Sequence, residues 1–159
     1  MLNLDTLPTR GNYTLIIFLK APAHMKMARY NRLKLEKGYY AYTGSALGHG
    51  AASLRRRVAR HFKKRKKKHW HIDYLLASKT AFITGLVAAP SKTNKECEIN
   101  TLIENIEEAT VPIMGFGASD CKRKCKSHLI HLGRNNNLEK ITDAYKQTVG
   151  ESQLQVYKP

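Results

Sequence analysis

The hydrophobic and polar positions of the chain predict several short strands. Residues 13–19 carry the strongest strand signal, because β-branched and aromatic residues follow one another there without a break. Residues 39–43 predict a second strand, with side chains alternating between two faces. Residues 80–89 predict a third. Two shorter alternating segments, 25–29 and 32–36, predict a hairpin between the first and second strands.

Helical periodicity appears in four other segments. They are residues 53–63, residues 72–77, a segment from Thr93 or Asn94 to about 109, and residues 138–149. Residues 112–117 predict a strand or an extended loop. No repeat or low-complexity linker divides the chain. We therefore expect one α/β (α+β) domain over residues 1–159, with a small mixed or antiparallel sheet.

Charge narrows the function classes. Twenty-eight Lys and Arg stand against twelve Asp and Glu, which gives a net charge of +16. Such an excess favours a polyanionic partner, and nucleic acid comes first because each phosphate contact releases counterions. No segment approaches the ~20 apolar residues that a membrane-spanning helix needs. Residues 1–5 lack the basic-then-apolar order of a secretion signal. We expect a cytoplasmic, nucleoid-associated protein that is a monomer or a small homo-oligomer and has no membrane partner.

One arginine of the helix at residues 53–63 has a special position. At about 100° per residue, Leu54, Val58, His61 and Phe62 share one side, and Arg57 lies beside them. Arg57 therefore faces the sheet, where a guanidinium must find an anion or hydrogen bonds. A structural salt bridge is the alternative. His61, one turn later, is a second candidate for handling a proton, or else an ordinary packed histidine.

The other basic residues of this region are expected to hold nucleic acid. Residues 63–68 are a run of six cations, which is suited to contact phosphates. Such contacts supply affinity but do not distinguish one nucleic-acid sequence from another. Trp70, two residues after this run, either packs or stacks on a base. The expected nucleic-acid-binding residues are Arg55, Arg56, Arg60, Lys63, Lys64, Arg65, Lys66, Lys67, Lys68 and Trp70.

Four zinc-ligand types cluster later in the chain, at Cys121, Cys125, His128 and His131. Their spacing is tighter than in a zinc finger, where a longer segment separates the two ligand pairs. Zinc at these four residues is one hypothesis. The sequence favours the alternative, which is half-buried thiols and surface histidines. A third cysteine, Cys97, leaves an odd number and argues against a disulfide framework.

Phosphodiester hydrolysis requires a deprotonated water, neutralised phosphoryl charge and a stabilised leaving oxygen. One divalent ion on one carboxylate can supply the last two, with a tyrosine or histidine handling the proton. Glu96 and Glu98 are carboxylates at the start of the third long helix, and Asp73 and Asp120 are further candidates. Clustered Asp and Glu, as in two-metal sites, are not evident, so a single-metal site fits better.

These residues resemble the GIY-YIG nuclease superfamily. Its first motif corresponds to Gly11-Asn12-Tyr13, its second to Tyr42-Thr43-Gly44, and its helical arginine to Arg57. Its metal-binding glutamate corresponds to Glu98, with Glu96 as the rival. Asparagine and threonine stand at the motif positions that are isoleucine in the superfamily.

The wider pattern is similar to the Uri-type endonuclease branch, a domain also found fused to endonuclease III. The resemblance covers about residues 10–132 and leaves 133–159 as a C-terminal extension. Its ordered blocks are GYYAYTGSA at 38–46, RVARH at 57–61, HWHIDYLL at 69–76, ECE at 96–98, GFGASDC at 115–121 and SHL at 127–129.

The resemblance implies a fold and an activity. The fold is a three-stranded antiparallel sheet flanked by helices, with an added hairpin and C-terminal helix. The activity is metal-dependent DNA endonuclease cleavage of branched, damaged or single-stranded DNA, with DNA favoured over RNA. Glu98 would hold Mg²⁺ or Mn²⁺, Arg57 would grip the scissile phosphate, and Tyr13 or Tyr42 would orient or deprotonate water. The alternative is a nucleic-acid-binding module with the same fold and little or no catalysis.

Overall fold

The computed structural model describes residues 2–28 and 30–158, and its framework is an antiparallel sheet with helices on both faces. The strands are β1 (Gly11–Leu19), β2 (Ala23–Met25), β3 (Leu33–Leu35), β4 (Gly38–Ala46), β5 (Ala81–Pro90), β6 (Leu129–Gly133) and β7 (Gln155–Tyr157). The helices are α1 (Leu54–Phe62), α2 (His71–Leu76), α3 (Glu96–Glu104) and α4 (Leu138–Val149).

The main sheet has five strands in the order β6-β4-β1-β5-β7, and β2 and β3 form a separate hairpin. β1 is central and is covered on both faces. Its Tyr13, Leu15 and Ile17 belong to the apolar layer that includes residues of α1, α2 and the hairpin. Its Ile16 belongs to the second layer, which α3 and α4 complete. This alternation follows from the two-residue period of a strand.

The predicted α+β class and the antiparallel sheet flanked by helices are confirmed. The three expected strands are β1, β4 and β5, and the sheet gains β6 at one edge and β7 at the other. Both additional strands are short. β6 has five residues, of which the three apolar ones are buried, and β7 has three residues, none of them buried.

Within the C-terminal extension, α4 completes the second core layer. In α4, Leu138, Ile141 and Tyr145 are buried against the α3 side of the sheet. The Tyr145 hydroxyl lies 2.9 Å from the Thr14 hydroxyl, which lies 2.9 Å from that of Thr43. A buried polar chain therefore joins α4 to β1 and β4, where unpaired hydroxyls would be costly.

Some predicted boundaries differ. The hairpin strands have three residues each. β2 begins two residues before its predicted segment, β3 lies inside its own, and Arg29 lies outside the described residues. The helix expected to reach about residue 109 ends at Glu104, followed by turns in which Glu108 has a φ of 69°. β4 continues to Ala46, three residues beyond its predicted end, because Gly44 to Ala46 still pair with β1. Residues 112–117 form turns. No helix in the described part of the chain is long and apolar enough to cross a bilayer.

Candidate active site

A polar pocket of about 240 Å³ opens at the far end of β4. β6 pairs with β4 as far as Tyr42, and the Thr43 N–H still donates to the His128 carbonyl. Beyond that point, α1 from one face of the sheet and the first turn of α3 from the other reach the same space. The lining residues are Tyr13, Tyr42, Gly44, Ser45, Arg57, Trp70, Asn94, Glu96, Gly117, Asp120 and His128.

Tyr13 reaches this pocket by lying across β4. It pairs with Gly44 in the β1–β4 register, and a Cβ at Gly44 would lie 2.7 Å from the Tyr13 hydroxyl. Only glycine leaves room for the ring in this position. The Tyr13 hydroxyl then lies 2.8 Å from Nε2 of His61 on α1. The expected pairing of Tyr13 with Tyr42 around one space is present, and His61 lies behind Tyr13.

Burial sets the protonation states of this group. It raises the pKa of Tyr13 well above its ordinary value, with the nearby Tyr42 adding to the effect. Burial likewise raises the pKa of Tyr42, and the charge of Glu96 raises it further. Burial lowers the pKa of His61 to about 3, with Lys66 contributing. At neutral pH both phenols are protonated, and the neutral imidazole can accept the Tyr13 proton at Nε2.

Arg57 and Arg60 lie one turn apart in α1 and have different partners. Arg60 makes two hydrogen bonds to Asp73, of 2.7 and 2.8 Å. Arg57 Nη1 donates to the Ser45 carbonyl at 2.5 Å, and its guanidinium lies 4.8 Å from the centre of the Trp70 ring. Within the described residues no carboxylate pairs with Arg57. The salt-bridge alternative therefore applies to Arg60 and not to Arg57.

Asp73 organises the start of α2. Its Oδ2 accepts the backbone N–H groups of His69 and Trp70, at 2.8 and 2.9 Å, in addition to the Arg60 bond. Burial opposes ionisation, but the bond from Arg60 and the two backbone bonds hold the pKa of Asp73 below its ordinary value. The Arg60 guanidinium also lies 4.5 Å from the Trp70 ring centre. Arg60, predicted to bind nucleic acid, thus positions Trp70.

The structure brings Glu96, not Glu98, to the pocket. Glu98 lies in the first turn of α3 but two residues further round the helix, where its Oε1 is 3.1 Å from Arg123 and 3.4 Å from Lys95. The hydrogen bond from Arg123, with Lys95 adding, lowers the pKa of Glu98. The predicted assignment of the metal ligand to Glu98 does not fit this placement. Asp120 lines the pocket beside Glu96 and is a second carboxylate in reach.

The predicted nucleic-acid-binding cations divide into two groups. Four are tied to backbone carbonyls: Arg55 Nε to Leu7, Arg60 Nη2 to Lys67, Lys64 Nζ to Ala81, and Lys66 Nζ to His61 and Lys63. The second group is exposed and carries none of these ties, and it consists of Arg56, Lys63, Arg65, Lys67 and Lys68. Lys68 Nζ lies 5.1 Å from the Tyr74 ring centre.

A second chemical cluster borders the pocket. One ligand atom from each of Cys97, Cys121, Cys125 and His128 lies within 4.8 Å of the others, so the cluster could hold a metal ion. Three of the four residues in the zinc hypothesis, Cys121, Cys125 and His128, belong to this cluster, and the fourth, His131, does not. That ring stacks on Tyr40 with 4.5 Å between centroids, on the strand β6. Cys97 takes its place from α3, too far along the chain for local spacing to indicate.

The chain is similar to one family of proteins. A family model described as "Domain of unknown function DUF123" matches residues 12–150. No curated protein and no solved structure matches the chain.

The contact between Tyr13 and Gly44 can be tested by a double-mutant cycle. Gly44→Ala should lower the free energy of unfolding by about 1–3 kcal/mol, because the new Cβ displaces the Tyr13 ring. In a Tyr13→Ala background the same change should cost much less. Gly85→Ala is the control, since its Cβ would meet the movable Cδ1 of Ile16 at 3.2 Å. Equal costs in both backgrounds, measured by urea unfolding, would contradict the contact.

The buried neutral state of His61 predicts a pH dependence of stability. Because the folded pKa lies near 3 and the unfolded value near ~6.5, the unfolded state binds the extra proton as pH falls below about 6.5. Wild-type protein should lose about 2–3 kcal/mol from this group between pH 8 and pH 4.5. His61→Gln should remove that part of the loss, and His24→Gln, at an exposed position, should not. Identical pH profiles for wild type and His61→Gln would show that His61 is not held neutral.

Proposed function

We propose that this chain, which belongs to the family described as domain of unknown function DUF123, is a metal-dependent endonuclease. It hydrolyses DNA phosphodiester bonds by a single-metal mechanism, on branched, damaged or single-stranded DNA. The observation that carries the proposal is the meeting of Tyr13, Tyr42, Arg57 and Glu96 around one pocket. These residues come from four different elements, and three of them stand at the motif positions that resemble the GIY-YIG nucleases.

The size of the pocket supports a phosphate rather than a whole small molecule. At about 240 Å³ it lies below the roughly 300–1,000 Å³ of typical small-molecule sites. Most of its lining is polar or charged. A polymer that presents one phosphodiester to the pocket, with its remainder outside, fits both features.

Arg57 is suited to grip the scissile phosphate. The Ser45 carbonyl and the Trp70 ring fix its guanidinium, and the bond to Ser45 uses only one of its five N–H groups. A guanidinium without a carboxylate partner among the described residues, held at a pocket wall, matches the fork geometry of phosphate oxygens.

Tyr13 and His61 are suited to orient the attacking water and to take its proton. With its proton donated to His61 Nε2, the Tyr13 oxygen can accept a hydrogen bond from water. Its raised pKa makes a free phenolate at neutral pH unfavourable, so transfer through Tyr13 to His61 replaces simple deprotonation. A phosphodiester entering the pocket adds negative charge near His61, and negative charge raises the pKa of a histidine. Substrate binding therefore makes His61 a better proton acceptor.

The residues present also fit a hard divalent cation. Glu96 and Asp120 line the same pocket, and carboxylate oxygens are the ligands that Mg²⁺ and Mn²⁺ prefer. Glu96 Oε1 accepts only a neutral hydrogen bond, from Asn94 at 3.1 Å, within the described part of the chain. When bound, such an ion neutralises phosphoryl charge and stabilises the leaving oxygen. Glu96 would hold it, with Asp120 as the second carboxylate.

Paired glutamate variants test the site. In plasmid-nicking assays with Mg²⁺ or Mn²⁺, Arg57→Ala and Glu96→Gln should each lower the rate about 10²–10³-fold, as expected for lost transition-state charge stabilisation. Glu98→Gln, the matched control two residues away, should stay within about threefold of wild type, since its contacts lie outside the pocket.

Two outcomes would contradict this assignment. Loss of cleavage in Glu98→Gln with normal cleavage in Glu96→Gln would return the metal to Glu98. A folded wild-type protein that binds structured DNA but never cleaves it would leave a nucleic-acid-binding module instead. Fluorescence anisotropy with labelled DNA, in the presence of the metal, shows whether a protein that does not cleave still binds DNA.

The exposed cations beside the pocket should track the DNA backbone. In the double variant Arg65→Gln and Lys67→Gln, the slope of log K against log salt should become less steep by about 2 for duplex DNA, at about 0.9 for each lost phosphate contact. Affinity should fall alike for all sequences. The control is the double variant Arg134→Gln and Lys140→Gln, which removes the same charge. Lys140 lies in α4 and Arg134 shortly before it, on the face of the sheet opposite α1. Equal slope changes in both doubles would mean that net charge alone drives binding.

A further inference from the structure

We propose that Cys97, Cys121, Cys125 and His128 bind one zinc ion, which is structural and fixes one wall of the pocket. Three thiol sulfurs and one imidazole nitrogen lie within 4.8 Å of one another. This is the Cys₃His ligand set of structural zinc sites, in which four protein ligands close the coordination sphere.

The distances suit a single ion. Cys97 Sγ lies 3.3 Å from Cys121 Sγ and 3.8 Å from His128 Nε2. Ligands at about 2.0–2.3 Å from a tetrahedral zinc are separated by about 3.5–3.8 Å. An iron–sulfur cluster contains several iron and sulfide atoms and needs a wider cage. Soft thiolates favour zinc over Mg²⁺ or Ca²⁺, so this site is chemically distinct from the carboxylates of the pocket.

The surrounding segment needs such a crosslink. Residues 105–128 join α3 to β6 without a helix or strand of their own, apart from a single bridge at Thr110. Structureless connections longer than about 12–15 residues are uncommon in a compact domain. Residues 117–126 contribute nothing to the buried core, whose members from this segment are Ile113 and Phe116. A metal ion supplies the tertiary constraint that apolar packing does not provide here.

Charge complementarity supports the same ion. Binding displaces three thiol protons, and three thiolates with one Zn²⁺ carry a net charge of −1. Four cations stand among the ligands, at Lys122, Arg123, Lys124 and Lys126. They oppose a bare cation but stabilise an anionic zinc–thiolate centre.

The ion would hold pocket residues from two elements. Cys97 directly follows Glu96 in α3, and His128 both lines the pocket and belongs to the cluster. Asp120 directly precedes Cys121. Zinc therefore fixes the first turn of α3 against the loop that brings Asp120, and so sets the separation of the two carboxylates.

Metal content of the purified full-length chain tests the site without DNA, so the result does not depend on nuclease activity. Protein prepared without chelators should contain close to one zinc ion per chain, measured by inductively coupled plasma mass spectrometry. Cys97→Ser should lose most of it, whereas His131→Gln, which removes the histidine outside the cluster, should keep it. Zinc retained in Cys97→Ser but lost in His131→Gln would overturn the ligand set.

A second measurement covers the case in which Cys97→Ser does not fold. Wild-type protein with Co²⁺ in place of zinc should show the intense visible bands of tetrahedral cobalt and a thiolate-to-cobalt charge-transfer band. A wild-type protein that holds little zinc and gives neither band would overturn the proposal, as would a Cys97–Cys121 disulfide in the protein isolated under reducing conditions. Zinc bound by a wild-type protein that never nicks DNA would support this site and contradict the proposed nuclease function, so the two proposals can fail separately.

Discussion

The register of β1 against β4 is the constraint on which the pocket depends. Tyr13 stands opposite Gly44, and only this pairing lets the ring cross β4 to reach His61 on α1. A shift of one residue would move every side chain of β1 to the other face. The buried hydroxyls of Thr14, Thr43 and Tyr145 oppose such a shift, because each would lose its partner. The C-terminal helix thus contributes to the geometry of a pocket it does not line.

Burial and charge give neighbouring residues of α1 different tasks. Arg60 has a buried carboxylate partner in Asp73, so its charge is already balanced. Arg57 has a carbonyl and an aromatic face, which orient the guanidinium without balancing its charge. Desolvating an unbalanced guanidinium is unfavourable, and an incoming phosphate removes that penalty. Arg57 and the neutral His61, whose protonation burial opposes, therefore favour the binding of an anion from outside the protein.

Two kinds of sequence signal led to residues of the pocket. The helical phase of Arg57 follows from the period of a helix, and the choice of Tyr13 and Tyr42 follows from the resemblance to the GIY-YIG nucleases. All three residues line the pocket. The choice between Glu96 and Glu98 could not be made in this way, because it depends on where the α3 face meets the end of β4. Cys97 was missed for the same reason, since its partners lie more than twenty residues away. β6 and β7 were missed because both strands are short, with five and three residues, and β7 has no buried position.

The position of His128 links the two proposed metal sites through structure rather than chemistry. The backbone carbonyl of His128 accepts a hydrogen bond from the Thr43 N–H, just beyond the last paired residues of β4 and β6. The His128 ring belongs to the cysteine cluster. Burial lowers its pKa, which keeps the imidazole in the neutral form that a metal requires. Gly117 lies on the same loop and lines the pocket. Its φ is 68°, and a Cβ at this position would lie 2.9 Å from the Tyr42 ring, so larger residues are excluded. Three contacts therefore hold this loop: the backbone bonding to the sheet, the close packing on Tyr42 and the cluster that includes Cys97 of α3. Loss of the cluster would release the part of the loop that carries Asp120, while the two tyrosines would stay in place.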